Sequence, residues 1–354
     1  MTQTIRFAPS DAFYRELKSR VYQHLAESHR APQGGWRLMS KALLILSLYL
    51  GSYLALNLYA TSTWSIMLCM FLIAQSIVMI GFNVMHDAGH GSFSSHRWIN
   101  ILMSYTLDLV GASQWLWQTK HGVLHHTYTN VSSHDDDLTT NDLLRLHHEQ
   151  DWRPVHRYQW IYAPLLYSLL TVHWVFSDFR DFFMRKIGPH SLKAPSKRAV
   201  TCFVGFKLLF FSMAFAIPML RFAWWQVLLG WVAIEMLVGL TLATTFQLAH
   251  VVTDVMQPDL PAEGERLPDT WAAHQVKTTA NFATHNPLLS WYVGGLNFQI
   301  EHHLFTKISH VHYPFIAPIV EKMCRDHQLP YQSYPTLGSA LRAHFAKLRS
   351  LGAH

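Results

Sequence analysis

Charge is scarce in this chain. Only 14% of its 354 residues are Asp, Glu, Lys or Arg, against roughly 25% in ordinary soluble domains. Cysteine is scarcer still. Cys69, Cys202 and Cys324 stand far apart with no CxxC pair, which excludes a disulfide framework and a thiolate metal site. The stretch before Trp36 is polar and mixed in charge, so no cleavable signal peptide is expected there. The net charge of +6 and the pI near 9.2 raise the question of nucleic acid. The Lys and Arg residues flank apolar runs, however, as the positive-inside rule expects of a membrane protein, and no nucleic-acid partner is expected.

What is abundant points the same way. Half of the residues are hydrophobic and 14% are aromatic, a composition suited to rings at lipid interfaces. A bilayer core of ~30 Å requires about 20 helical residues. Ala42 to Tyr59 runs eighteen residues without a charge, and Trp64 to Met85 follows after a break too short for anything but an antiparallel hairpin. Ala199–Leu220 and Phe222–Ala249 form a second hairpin, with Pro218 and Arg221 at its turn. Lys207 and Glu235 each lie fourteen residues from Arg221. They would meet at similar depth and are expected to pair, because an intramembrane charge is costly alone.

The expected architecture is all-α and membrane-integral, with four transmembrane helices in two hairpins, interfacial helices and a cytoplasmic helical cap. Residues 1–36 read as a polar lead-in with one amphipathic helix, Ser10 to His29, stopped by Pro32-Gln33-Gly34-Gly35. Residues 37–325 read as the membrane domain, and 326–354 as a C-terminal cytoplasmic tail. Ile99–Gln118, broken by Asp108 and Gly111, and Tyr158–Phe176, with Pro164 and His173, are taken as interfacial or re-entrant. A crossing at the second would put the histidine clusters on opposite faces. Eleven Lys or Arg lie between His86 and Arg198, and only Arg221 in the hairpin turns, which places the termini and the clusters in the cytoplasm, at the inner or plasma membrane of a bacterium.

The histidines carry the chemistry. His86-Asp87-Ala88-Gly89-His90, His121-Gly122-Val123-Leu124-His125-His126 and Gln299-Ile300-Glu301-His302-His303 supply seven imidazoles in three clusters, each beside a long apolar stretch. Neutral imidazole is a ligand for iron and zinc. His86 and His90 share a helix face, as do His121 and His125. His126 would fall ~100° further round an ordinary helix, so the adjacent pair can serve two ions, and so can His302 and His303. A mononuclear catalytic site takes about three protein ligands, and seven histidines therefore point to two metals.

These three boxes, between two membrane hairpins, resemble those of the membrane fatty acyl desaturase family over roughly residues 40–325. Gly91-Ser92-Phe93, Thr127-Tyr128-Thr129-Asn130 and Leu304-Phe305 extend the match, and Gln299 resembles the leading residue of the QxxHH subgroup. The resemblance implies two non-haem irons, O2 as co-substrate, reducing equivalents, and a product with a new C=C bond. It also implies a further ligand at the end of the fourth span, where His250 stands, with His274 as rival. Gln299 is expected to ligate weakly or hold water, and Asp87 and Glu301 to orient ligands. Asp135-Asp136-Asp137 reads as a solvated capping loop in preference to a set of orienting carboxylates. His147, His148, His156, His173, His285, His310 and His312 are taken as surface or interfacial.

Thr306 departs from the family's usual Pro, and no fused cytochrome b5 with its His-Pro-Gly-Gly motif is found, so a separate electron donor of ferredoxin or cytochrome b5 type is implied. The substrate would be an acyl chain on a lipid, CoA or acyl carrier protein, lying in a tunnel among the spans with its head by residues 130–200 and 251–290. Arg145, Arg153, Lys193 and Lys197 read as membrane-surface residues. Acyl hydroxylation or acetylene formation, and a membrane metal transporter or receptor, are the alternatives.

Overall fold

A computed structural model describes residues 5–9, 12–140 and 142–353. Among these residues four helices are long and apolar enough to cross a membrane: α2 (Gly35–Leu58), α3 (Thr63–His90), α6 (Lys197–Leu220) and α7 (Trp224–His250). They form two hairpins as the charge-free runs required. Ser62 caps α3 by accepting from the Ser65 amide. The hairpin tips are joined by Arg221, whose guanidinium donates to the carbonyls of Leu56, at 3.0 Å, and Ala60.

The expected Lys207–Glu235 pair does not form. The Lys207 ammonium, nearly buried, donates to the Gly111 carbonyl at 2.6 Å and pairs with Asp178 at 3.3 Å. Depth along a hairpin fixes height only. The carboxylate that meets Lys207 comes from a segment outside the hairpin, α5 (Leu170–Met184). That helix follows α4 (Gln159–Ser168), so Tyr158–Phe176 is two helices joined at Leu169. Both pack along α7, and Gly239 of α7 admits the α4 backbone: a Cβ there would lie 2.7 Å from the Ser168 carbonyl oxygen. Ile99–Gln118 is likewise broken, into Arg97–Ser104, Thr106–Leu109 and Gln114–Thr119, with Asp108 accepting from the Gln114 amide at 3.0 Å.

The remaining chain caps one end of the hairpins. In α1 (Ala12–Glu27), Phe13, Leu17, Val21 and Leu25 recur at helical spacing and bury against α10 (Tyr313–Asp326); Ser10 and Asp11 of the expected helix lie outside the described residues. Beside them, α8 (Trp271–Lys277) packs on α1 and α9 (Gln299–Leu304) on α10. Residues 326–354 hold α11 (Leu337–Gly352), which buries Leu348 and Leu351 against α4 and the end of α7. Among the described residues the four strands are dipeptides: Lys186–Ile187 pairs antiparallel with His190–Ser191, and Asn281–Phe282 runs parallel to Ser333–Tyr334.

Candidate metal centre

The end of α3 is shaped before its histidines begin. Ile80–Met85 winds as a π-helix immediately ahead of His86, the kind of local widening often found at functional sites. Gly294 fits against this turn with φ of +60°, and a Cβ there would stand 2.3 Å from the Phe82 carbonyl oxygen. Gly91, in the left-handed region, stops the helix just after His90. Lys120–His125 is also a π-helix. Its wide turn corrects the expected angle between His121 and His126. Residues five apart come to one face, and their Nε2 atoms lie 3.1 Å apart.

The three boxes converge. His86, His90, His121 and His302 form one buried group, and His125, His250 and His303 a second, the candidate ligand atoms in each lying within 4.8 Å of one another. His126 sits between them, grouped with His302 and His303. Of the third box, His302 belongs to the first group and His303 to the second, while both also stand with His126. His250, from the end of α7, packs its ring 4.7 Å from His125 and 4.9 Å from His303. His274 belongs to neither group; its Nε2 meets the Thr129 carbonyl oxygen at 2.9 Å. Gln299 is buried on the same helix as the third box.

Metal fits this donor set. The Nε2 atoms of His90, His302 and His303 are buried without a hydrogen-bond partner, a costly state for a polar atom. His86 and His121 bring their Nε2 atoms to 3.1 Å, close to the ~3.0–3.4 Å separating neighbouring ligands around one ion at bond lengths of ~2.1 Å. Burial, reinforced by neighbouring imidazoles, holds the pKa values of His121, His126, His302 and His303 well below the usual value. These rings are therefore neutral, the form that binds metal.

The opposite ring nitrogens are held by other segments. His125 Nδ1 donates to Asp135, 3.1 Å from both carboxylate oxygens, with Asp137 at 3.3 Å. His303 Nδ1 donates to Gln275 Oε1 at 2.8 Å, His302 Nδ1 to the Tyr313 hydroxyl at 3.2 Å, and His250 Nδ1 to the Thr278 carbonyl at 3.3 Å. Each such bond fixes the ring and leaves its Nε2 lone pair for a metal.

Two expectations about carboxylates are overturned here. Asp135 does cap the short turn Asp136–Leu138, but it is buried and orients a histidine, so the acidic run is more than a solvated loop. Asp87 and Glu301 hold no box histidine: Asp87 accepts from Ser309 and faces His310 Nδ1 at 3.0 Å, while Glu301 accepts from Asn281 and Tyr331. Helical alternation turns both away from the neighbouring imidazoles. His147, His156, His310 and His312, expected to be surface or interfacial, are buried; His148, His173 and His285 are exposed. Gln275, Thr278 and Tyr313 carry no motif that would single them out in the sequence.

A cavity of about 760 Å³ opens beside the cluster, touching His86, His121, His125 and His250 and running among apolar side chains of α3, α4, α5 and α7. A family model described as fatty acid desaturase matches residues 61–335. The chain belongs to this family.

It is 36% identical to an sn-1 linoleoyl-lipid 6-desaturase of Synechocystis, over 99% of this chain and 98% of that protein. To the protein of the same description from Arthrospira platensis it is 32% identical, over 99% and 95%. An acyl-lipid (8-3)-desaturase of Physcomitrium patens is 36% identical over 98% of this chain and 72% of its own length. The chain is a membrane-bound fatty acyl desaturase, an oxidoreductase, and the transporter and receptor readings fall.

Proposed function

We propose that this desaturase binds two iron ions through His86, His90, His121, His125, His126, His250, His302 and His303, and introduces a C=C bond into an acyl chain esterified in a membrane lipid, with O2 as co-substrate. The observation that carries the reading is the convergence of all eight imidazoles at one end of the two hairpins, against the wall of the cavity. When bound, the irons supply the oxidising power to remove hydrogen from unactivated carbon.

The chain's own residues supply position. Asp135, Gln275, Tyr313 and Thr278 fix four of the rings. Gln118 donates to the Gly89 carbonyl at 2.8 Å and Lys307 to the His90 carbonyl at 2.6 Å, tying the second and third boxes to the first. Trp117 stacks on His121 with 4.8 Å between ring centroids and shares the cavity wall with Leu107, Leu116, Leu242 and Phe246, excluding water from the methylenes held there. The lipid-linked form of the substrate follows the named relatives, which are lipid desaturases along nearly this whole length. Electrons come from a separate carrier of ferredoxin or cytochrome b5 type, and the cluster faces the cytoplasm, on the side of the eleven basic residues between His86 and Arg198.

Expression in a bacterial host supplied with such a carrier, beside a His303→Ala control, tests the reaction by gas chromatography and mass spectrometry of total fatty acids. An unsaturated species made only by the intact chain is expected, with about two irons per purified polypeptide. A purified chain that holds iron, accepts electrons and leaves every lipid acyl chain saturated refutes it. Ser62→Cys and Glu263→Cys should label from opposite sides of the membrane, Glu263→Cys from the cytoplasm; the reverse overturns the orientation.

A further inference from the structure

Helix α5 gives the cavity its opening. Leu169, just before it, and His173, Phe176, Arg180 and Met184 along it all line the cavity and are all exposed. Their spacing of three to four residues makes one stripe of the helix, so the cavity is open along its side over about four turns. Apolar and basic side chains alternate down this lip. The neighbouring surface is strongly apolar: Ile161, Leu165, Phe176, Phe183 and Met184 are each about 60% exposed or more, a surface that lies against lipid and not water. Such a border suits an opening toward the bilayer, with the basic side chains of the lip beside the lipid-facing surface.

The charges along the lip do not cancel. Lys120 and Arg180 share a single buried carboxylate, Asp181, at 3.0 and 2.9 Å. Asp136 stands 3.9 Å from Lys120. Asp137 is turned toward His125 at 3.3 Å. Lys186, also on the cavity wall, makes no ion pair among the described residues. Asp178, also on the wall, is taken by Lys207 at 3.3 Å, so Asp136 and Asp181 alone are left to answer Lys120, Arg180 and Lys186, and the Arg180 side chain is 58% exposed. Arginine's planar fork suits a phosphate or sulfonate, and lysine adds a point charge.

Resting on the acyl-lipid reading above, we propose that the α5 slot admits a membrane glycerolipid sideways from the bilayer, with Arg180 and Lys186 binding an anionic headgroup while the acyl chain lies in the cavity. The lip would then choose the lipid class, and the cavity the carbon atoms.

Iron-loaded protein is mixed with vesicles of a diacyl phosphoglycerolipid, or of an uncharged diacyl galactolipid with the same acyl chains, and the retained lipid is read by native mass spectrometry. Turnover of each is then followed with a reduced ferredoxin as donor. The wild type should retain and desaturate the anionic lipid at least fivefold better. Arg180→Gln with Lys186→Gln should lose most of that margin, with iron content unchanged and the galactolipid rate within twofold. Lys197→Gln, a basic residue off the lip, should behave as wild type. Equal handling of the two lipids by the wild type, or an equal loss on both in the double variant, overturns the headgroup site and leaves acyl-lipid desaturation standing. Turnover of a soluble acyl thioester with neither lipid as substrate removes the acyl-lipid reading itself.

Discussion

Asp135→Asn isolates the contribution of one orienting carboxylate. Burial disfavours a charged His125, yet Asp135 and Asp137 outweigh it and push the ring's pKa up from 6.5 to about 9. That rise corresponds to ~3 kcal/mol of interaction with the charged ring. Asp135 accepts from His125 Nδ1, from the Asn130 amide at 2.9 Å and from the Asp137 amide at 3.1 Å. Asparagine keeps the shape, loses the charge, and has a single acceptor oxygen for all three donors. With metal bound, the ring is a neutral donor, so only part of the ~3 kcal/mol is felt. Loss of such a partner weakens metal binding by about 10–100-fold, or ~1.4–2.7 kcal/mol. Iron retention against a graded chelator, measured per polypeptide in detergent, reads this directly. Asp136→Asn is the control, because its carboxylate faces Lys120 at 3.9 Å and touches no imidazole. Asp135→Asn protein that retains iron as well as wild type would show that the Asp135 charge does not hold His125 for the metal.

Other perturbations reach the rest of the frame. Gly294→Ala forces a Cβ toward the Phe82 carbonyl at a positive φ, and should lower the melting temperature and the iron content together, by at least ~1–2 kcal/mol. Lys207→Ala leaves Asp178 buried without its partner and should destabilise by roughly 3–5 kcal/mol; Lys207→Met with Asp178→Leu should recover much of the loss in a thermal melt. His344 is buried between the Tyr167 hydroxyl and the Val251 carbonyl, and burial lowers its pKa to about 4. Unfolding lets the ring take up a proton below pH ~6.5. Stability should therefore be complete above pH 6.5 and fall as the pH drops toward 4, by up to ~3 kcal/mol from this residue. In melts at pH 7.5 and 5, His344→Gln should show a smaller drop than wild type; an equal drop would assign the acid sensitivity elsewhere.

Sequence spacing was most informative where a single period governs. Apolar runs bounded by Arg37, Lys41 and Arg221 gave the hairpins, because a membrane span has one length and one composition. Histidine spacing gave the clusters and the division of His302 from His303. It failed where the local backbone leaves the standard helix: the π-turn at Lys120–His125 carries His126 round to His121, and no residue type announces it. Partner choice was equally hidden. Lys207 pairs with Asp178 across 29 positions, and Gln275 meets His303 across 28. The surface or interfacial reading of His310 and His312 failed because the segment after the third box packs under the start of α2, where Lys41 reaches His310 Nε2 at 3.2 Å.

The orienting partners explain why so much chain surrounds so small a site. Four of the eight clustered imidazoles have their Nδ1 held by Asp135, Gln275, Thr278 or Tyr313. None of these lies on the four spans, and three belong to the stretch from α8 to α10. The spans alone would bring His86, His90 and His250 to one end of the bundle but leave most of the rings free to turn. The cap sets them, and the cap is itself knitted by the same residues. The Thr129 hydroxyl stands 2.7 Å from the His125 carbonyl and 2.9 Å from Gln275 Oε1, with one proton to donate between them, while Asn130 donates to the His250 carbonyl at 2.8 Å. Groups that orient the ligands are thus the groups that close the fold over them. Metal binding and cap closure are then one equilibrium. Removing iron should open amide exchange first at residues 120–135 and 271–280, with α2 and α6 still protected. Exchange that is unchanged in this region on iron removal would mean that the cap closes without the metal.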